Sequence, residues 1–137
     1  MDWEECNLKK LVKRVNPDLN LIESLKKSSQ KRIASANRLK IDETTSSSVI
    51  SLCYEALREL LEAASLSRGF KIYNHDCYAA LLKEVMREEK LGILFDKFRQ
   101  LRNRINYYGK EISPGDAKQL KEEIISLISK IKEKHIR

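Results

Sequence analysis

The sequence has only 4 Gly and 2 Pro, the residues that most often interrupt helices. It contains no run of 18 apolar residues, so no transmembrane helix is expected. Its acidic start, "MDWEECNLKK", has no apolar segment of the kind found in signal peptides, and we therefore expect a cytoplasmic protein. Glycine-rich phosphate loops, a nucleophile elbow and metal-ligand spacings are also missing, so we expect no metal and no cofactor.

Cysteine is scarce and irregularly placed. Cys6, Cys53 and Cys77 are an odd number of thiols, lie far apart and form no C-x-x-C pair. This spacing signals neither a disulfide framework nor a zinc site. Cys53 falls in an apolar helical register, and we expect it in the core.

The residues that are abundant indicate a helical, basic protein. Hydrophobic residues make up 42% and charged residues 34% of the 137 positions, a mixture rich in Leu, Ile, Lys, Glu and Ala. This composition predicts an all-α chain, with residues 1–137 as a single domain large enough to bury a core. The net charge of +7 is compatible with RNA, DNA or an acidic protein as partner, and equally with a merely soluble basic protein.

Hydrophobic periodicity predicts an antiparallel bundle of four to six helices joined by short loops, without membrane contact. The expected helices span about 2–15, 18–41, 47–67, 75–87, 93–109 and 116–135. A break or bend is expected at 88–92, where the sequence reads "EEKLG".

The stretch "RQLRNRINYYG", residues 99–109, combines basic, amide and aromatic side chains on one predicted helix. An apolar stripe there would face the core or a dimer interface: Phe98, Leu101, Ile105 and Tyr108. Arg99, Arg102 and Asn106 share an adjacent face, and a guanidinium matches the oxygen pair of a phosphate. Alternatively, this face is basic surface that pairs with the acidic side of the helix at 47–67.

The segment "LRNRINYY" on the penultimate helix, together with a basic second helix, a long third helix and "YNHD", resembles the HEPN family of prokaryotic helical domains. The family motif is an Arg, usually followed by Asn, Asp or His, with a His four to six residues later and often a Tyr after it. Arg102 and Asn103 match its beginning. Asn106 and Tyr107 stand where the motif histidine is expected, so this histidine is missing.

The resemblance implies a HEPN-like fold and a homodimer, and in the family's ribonucleases a metal-independent attack of the ribose 2′-OH on the adjacent phosphate. It implies that Arg102 and Asn103 belong to the catalytic set. We expect Arg99, Arg104 and Asn106 to contact RNA. Because the motif histidine is missing, the first expectation is a domain that binds RNA or a nucleotidyltransferase partner, in a toxin–antitoxin or defence setting, without cleaving RNA.

Two alternatives remain open at this stage. The first is an active metal-independent endoribonuclease in which Tyr107 or His75 carries the proton. The second is a purely structural, protein-interacting bundle whose basic residues pair internally. His75 is either a capping or interhelical hydrogen-bonding residue or the proton carrier, and Tyr107 is a candidate for AMP attachment or for stacking on a base. His135 is expected to be solvated near the end of the last helix.

Overall fold

The computed structural model describes residues 1–136, which form six α-helices and a two-stranded antiparallel sheet. The helices are α1 (Trp3–Leu8), α2 (Leu19–Arg38), α3 (Ser46–Ser67), α4 (Asp76–Ala80), α5 (Glu89–Tyr108) and α6 (Pro114–His135), and the strands are β1 (Val12–Arg14) and β2 (Phe70–Ile72). The predicted all-α class is therefore confirmed as a mainly helical architecture, to which the small sheet is an addition. No helix within the described residues is long and apolar enough to cross a membrane.

Helix α3 lies at the centre of the core, with α2 and α6 packed against it. Its three-and-four pattern of apolar residues lets it bury nearly all of its length. The side chains of α4 and α5 complete the core beneath its N-terminal half, where Phe95 stacks on Tyr54 with ring centres 5.9 Å apart. This packing brings the polar residues of α3, α4 and α5 to one side of the molecule.

The long helices begin and end close to their predicted bounds because their sequences carry capping signals. Asp18 accepts a hydrogen bond from the Leu21 N–H at 3.1 Å at the start of α2. Ser113 does the same for the Asp116 N–H at 3.2 Å, so α6 begins at Pro114. Gly109, with φ +63°, ends α5 in the left-handed conformation that glycine adopts without strain.

The predicted first helix over 2–15 is wrong. The helix ends at Leu8, Lys10 turns the chain with φ +58°, and β1 then pairs antiparallel with β2 through Val12 and Ile72. Because a β-branched residue fits a strand at least as well as a helix, the local pattern did not distinguish the two states. The pairing partner that decides between them lies far along the chain.

The region after β2 also departs from the prediction. The expected helix over 75–87 is α4 followed by a π-helical turn at Leu81–Val85, and Arg87, with φ +57°, ends it. The chain re-enters a helix at once, so the break predicted at 88–92 is shorter than expected and α5 starts at Glu89.

A disulfide joins Cys6 of α1 to Cys77 of α4, across a sequence separation of 71 residues, so the expectation of no disulfide is wrong. The two thiols meet because α1 packs against α4, a contact that cysteine spacing does not encode. Cys53 is buried and free, as predicted, and burial raises the pKa of its thiol to about 11.

Candidate functional site

His75 lies half-buried just before α4 and faces two tyrosines of the core. Its Nδ1 is 3.1 Å from the Tyr54 hydroxyl on α3. Its ring centre is 6.2 Å from that of Tyr54 and 6.0 Å from that of Tyr78. The side chain does not cap α4, so of the two structural roles expected for it, the interhelical hydrogen bond is the one observed.

The same side of the molecule carries three arginines from α3 and α5. The guanidinium carbon of Arg102 lies 5.5 Å from the centre of the Tyr54 ring, whose hydroxyl contacts His75. Arg58 and Arg99 are close enough to act on the charge of His75 as well. We call this group the His75 cluster; its members are Tyr54, Glu55, Arg58, His75, Arg99 and Arg102.

Each arginine of the cluster has a carboxylate partner. Arg102 donates from Nη2 to Glu55 Oε1 at 3.3 Å, and Arg58 donates from Nε to Glu55 Oε2 at 3.0 Å. Arg99 donates from Nε to Asp96 Oδ1 at 2.9 Å. The sequence-based alternative, in which the basic face of α5 pairs with the acidic side of α3, therefore holds for Arg102. These contacts fix the guanidinium groups in place while leaving further N–H donors on each.

His75 is held in its neutral form at pH 7. Burial lowers the pKa of its imidazole, and the nearby Arg58 lowers it further, whereas the Glu55 carboxylate acts in the opposite direction. Burial raises the pKa of the Tyr54 phenol, so that side chain stays protonated. A neutral imidazole has one ring nitrogen that accepts a proton, and which nitrogen it is depends on the tautomer.

The remaining residues singled out in "RQLRNRINYYG" lie further along α5. Asn103 is half-buried beside Arg102, whereas Arg104 and Asn106 are exposed. Tyr107 and Tyr108 are 72% and 82% exposed. Tyr108 does not continue the apolar stripe into the core of the chain, so of the two positions expected for it, core or dimer interface, the core is excluded and the dimer interface stays a prediction. The Tyr107 side chain makes no hydrogen bond to the rest of residues 1–136.

Sequence reasoning missed Tyr54 and Arg58. Tyr54 reads as one more large residue in a buried helix, and Arg58, between Glu55 and Glu62, reads as an intrahelical ion pair. Only the packing of α4 and α5 against α3 shows that both border His75. The expectation that His135 is solvated is also wrong: its Nε2 lies 3.1 Å from Glu88 Oε1.

Residues 1–136 contain no group of three or more His, Cys, Asp or Glu side chains arranged to hold a metal ion. Comparison of the chain with protein-family models, with curated proteins and with solved structures gives no match. Any functional conclusion therefore depends on the chemistry of the residues themselves.

Proposed function

We propose that this chain is a HEPN-like RNA-binding protein and that the His75 cluster binds an RNA phosphodiester. The observation that carries the proposal is that Arg102 lies over the Tyr54 ring whose hydroxyl contacts His75, with Arg58 and Arg99 near enough to act on the imidazole's charge. A guanidinium has five N–H donors, so Arg102 retains donors for a phosphate while it contacts Glu55. The HEPN likeness of "LRNRINYY" supports RNA as the polyanion.

We further propose that His75 replaces the missing motif histidine in metal-independent cleavage. In the tautomer whose Nδ1–H donates to the Tyr54 oxygen, Nε2 is the base that takes the proton of the ribose 2′-OH. The 2′-oxygen then bonds to phosphorus, the bond from phosphorus to the 5′-oxygen breaks, and water protonates the departing oxygen. Arg102 stabilises the negative charge that develops on the phosphoryl oxygens. Tyr107, exposed on the last turn of α5, is a weaker candidate for the base.

The direct test is cleavage of a mixed RNA substrate in EDTA. We expect cleavage by the native chain and a loss of roughly 10²- to 10⁴-fold in His75→Asn, the range typical of a lost general base. Arg102→Ala should show a comparable loss. His135→Asn, which removes the other histidine, should retain the native rate.

Binding without cleavage is the outcome that would restrict the protein to an RNA-binding role. RNA affinity should then still fall steeply with salt, because neutralising phosphates releases counterions. Affinity that is indifferent to both salt and Arg102→Ala would contradict RNA binding at this cluster.

The second candidate is a purely structural cluster, which the 3.3 Å Arg102–Glu55 contact favours. Glu55→Gln separates the two possibilities, since it releases Arg102 from a competing negative charge. RNA binding at the cluster predicts tighter binding by Glu55→Gln. A structural cluster predicts lower stability with no change in RNA affinity.

A homodimer and a nucleotidyltransferase partner remain predictions of the HEPN likeness, as does a toxin–antitoxin or defence setting. The exposed phenol of Tyr107 would be accessible to such a partner. Incorporation of labelled AMP into the native chain but not into Tyr107→Phe, in the presence of a candidate nucleotidyltransferase, would test that association.

A further inference from the structure

The backbone of β1 directs hydrogen-bonding groups away from β2. At the end of the strand pair, the Val15 N–H donates to the Gly69 carbonyl at 2.9 Å. Because hydrogen bonds alternate along an antiparallel pair, the backbone of Lys13 also faces β2, whereas the N–H and C=O groups of Val12 and Arg14 point outward. None of these four groups makes a hydrogen bond within residues 1–136. The outer edge of β1 is therefore unpaired, and Arg14 is exposed on it.

The outer edge of β2, by contrast, is covered by the core. Ser65 of α3 donates from its hydroxyl to the Phe70 carbonyl at 2.6 Å, so α3 packs along this edge. The sheet thus has one covered edge and one open edge. An open edge can pair with any extended segment that lies beside it, and many domains bind peptides in this way, as an added strand.

Four exposed cations surround the open edge: Lys13, Arg14, Arg68 and Lys71. We call them the basic edge. None of them has a carboxylate partner among residues 1–136, and Arg14, Arg68 and Lys71 contact aromatic or imidazole rings instead. Lys13 and Lys71 stand directly opposite each other in the strand pair, where like charges destabilise a sheet. Lys13, Arg14 and Arg68 line a cleft of about 560 Å³ whose lining contains no acidic residue.

We propose that the outer edge of β1 binds an extended, acidic segment of a partner protein. The segment pairs with the outward backbone groups of β1 and places carboxylates beside the basic edge, where they offset the repulsion between Lys13 and Lys71. Side chains alternate along a strand, so glutamates at every second position lie on the face that carries these two lysines. A second copy of the chain is a poor occupant, because pairing two β1 edges would bring Lys13 and Arg14 of both copies together.

The test is the affinity of the native full chain for a fluorescent octapeptide of alternating glutamate and valine. We expect Lys13→Ala with Lys71→Ala to weaken binding by roughly 2- to 30-fold, the range for two exposed ion pairs. Lys118→Ala with Lys130→Ala is the matched control, since it removes two exposed lysines of α6 and changes the net charge equally. This control should keep the native affinity.

Arg14→Pro separates backbone pairing from charge. Proline removes the outward N–H of this residue, which no group of residues 1–136 accepts, whereas Arg14→Ala removes only the charge. We expect Arg14→Pro to bind the octapeptide roughly 2- to 10-fold more weakly than Arg14→Ala, the range for one lost hydrogen bond. Hydrogen exchange of the Arg14 amide in the native chain should slow when the octapeptide binds, a measurement that does not require the proline variant to fold.

Four outcomes would overturn the inference. No binding of the octapeptide by the native chain would show that the lysines only protect the edge from self-pairing. An equal loss in the Lys118 and Lys130 control would show attraction by net charge alone. Unchanged exchange at the Arg14 amide would show that no strand is added. Binding of a single-stranded oligouridylate, but not of the octapeptide, through Lys13 and Lys71 would identify a nucleic-acid surface. All of these variants keep the His75 cluster, so the proposed RNA binding there is judged separately.

Discussion

The middle of α5 and its C-terminal end have similar compositions but different electrostatic surroundings. At Arg99 and Arg102 each guanidinium is held by a carboxylate, and Arg102 also packs against the Tyr54 ring. Arg104, two residues after Arg102, and Lys110, two residues after the end of α5, have no such partner among residues 1–136. A held arginine loses less side-chain entropy when it binds, but it shares its charge with the carboxylate. Under the proposed function, the middle of the helix is therefore suited to orienting one phosphate.

The largest expected effect concerns how much the Cys6–Cys77 disulfide stabilises the region around His75. The Cys6–Cys77 disulfide lies two residues from His75 and closes a long segment of the chain. Its reduction should lower the free energy of unfolding by about 4 kcal/mol, the loop-entropy contribution for a separation of this size. Urea unfolding with and without reductant measures the change. Hydrogen exchange should speed up at residues 74–78 and stay constant at 104–108.

Two variants control for other effects of the reductant. Cys53→Ser keeps the disulfide and should respond to reductant as the native chain does. The variant that combines Cys6→Ser with Cys77→Ser should be destabilised without reductant and should not respond to it. An unfolding midpoint that does not move on reduction of the native chain would show that the packing of α1 on α4 is sufficient without the bond.

The second prediction compares Arg102, whose guanidinium has a carboxylate partner, with Arg104, whose guanidinium has none among residues 1–136. Arg102→Ala removes the contact with Glu55 and the packing on Tyr54, and should lower the free energy of unfolding by about 1 kcal/mol. Arg104→Ala removes no contact within the described chain and should change it by less than about 0.5 kcal/mol. Urea unfolding of both variants at one salt concentration measures the difference. Equal losses of stability in the two variants would show that the carboxylate partner of Arg102 contributes nothing measurable.

The sequence predicts those parts of the fold that depend on interactions between residues close together in the chain. The long helices α2, α3 and α6 are predictable because their apolar periodicity is local, as are the caps Asp18 of α2 and Ser113 of α6. The β1–β2 pair and the disulfide are not, since each depends on residues at least 56 positions apart, such as Arg14 and Phe70. Arg102 and His75 each stand out in the sequence. The sequence does not show that they are neighbours, because Tyr54 contacts both only in the folded chain, where α3, α4 and α5 pack together.

The smallest expected effect concerns pH and again separates the two regions, because the His75 cluster contains a histidine and the C-terminal end of α5 contains none. Burial disfavours the imidazolium, so folded His75 binds a proton less readily than the unfolded chain, in which the pKa is about 6.5. Above that pH the ring is neutral in both states and contributes no pH dependence. Below it the unfolded chain gains a proton that the folded chain resists, and the free energy of unfolding falls.

This decline cannot exceed about 1.4 kcal/mol per pH unit for one proton. His75→Asn removes the group, so its free energy of unfolding should fall less steeply than that of the native chain between pH 7 and pH 5. Urea unfolding at several pH values measures both slopes, and Tyr107→Phe, a change in the last turn of α5, should keep the native slope. Identical slopes for the native chain and His75→Asn would contradict a buried, neutral His75. The same protonation would remove the proposed base, so cleavage should fall over the acidic range in which the folded imidazole becomes charged.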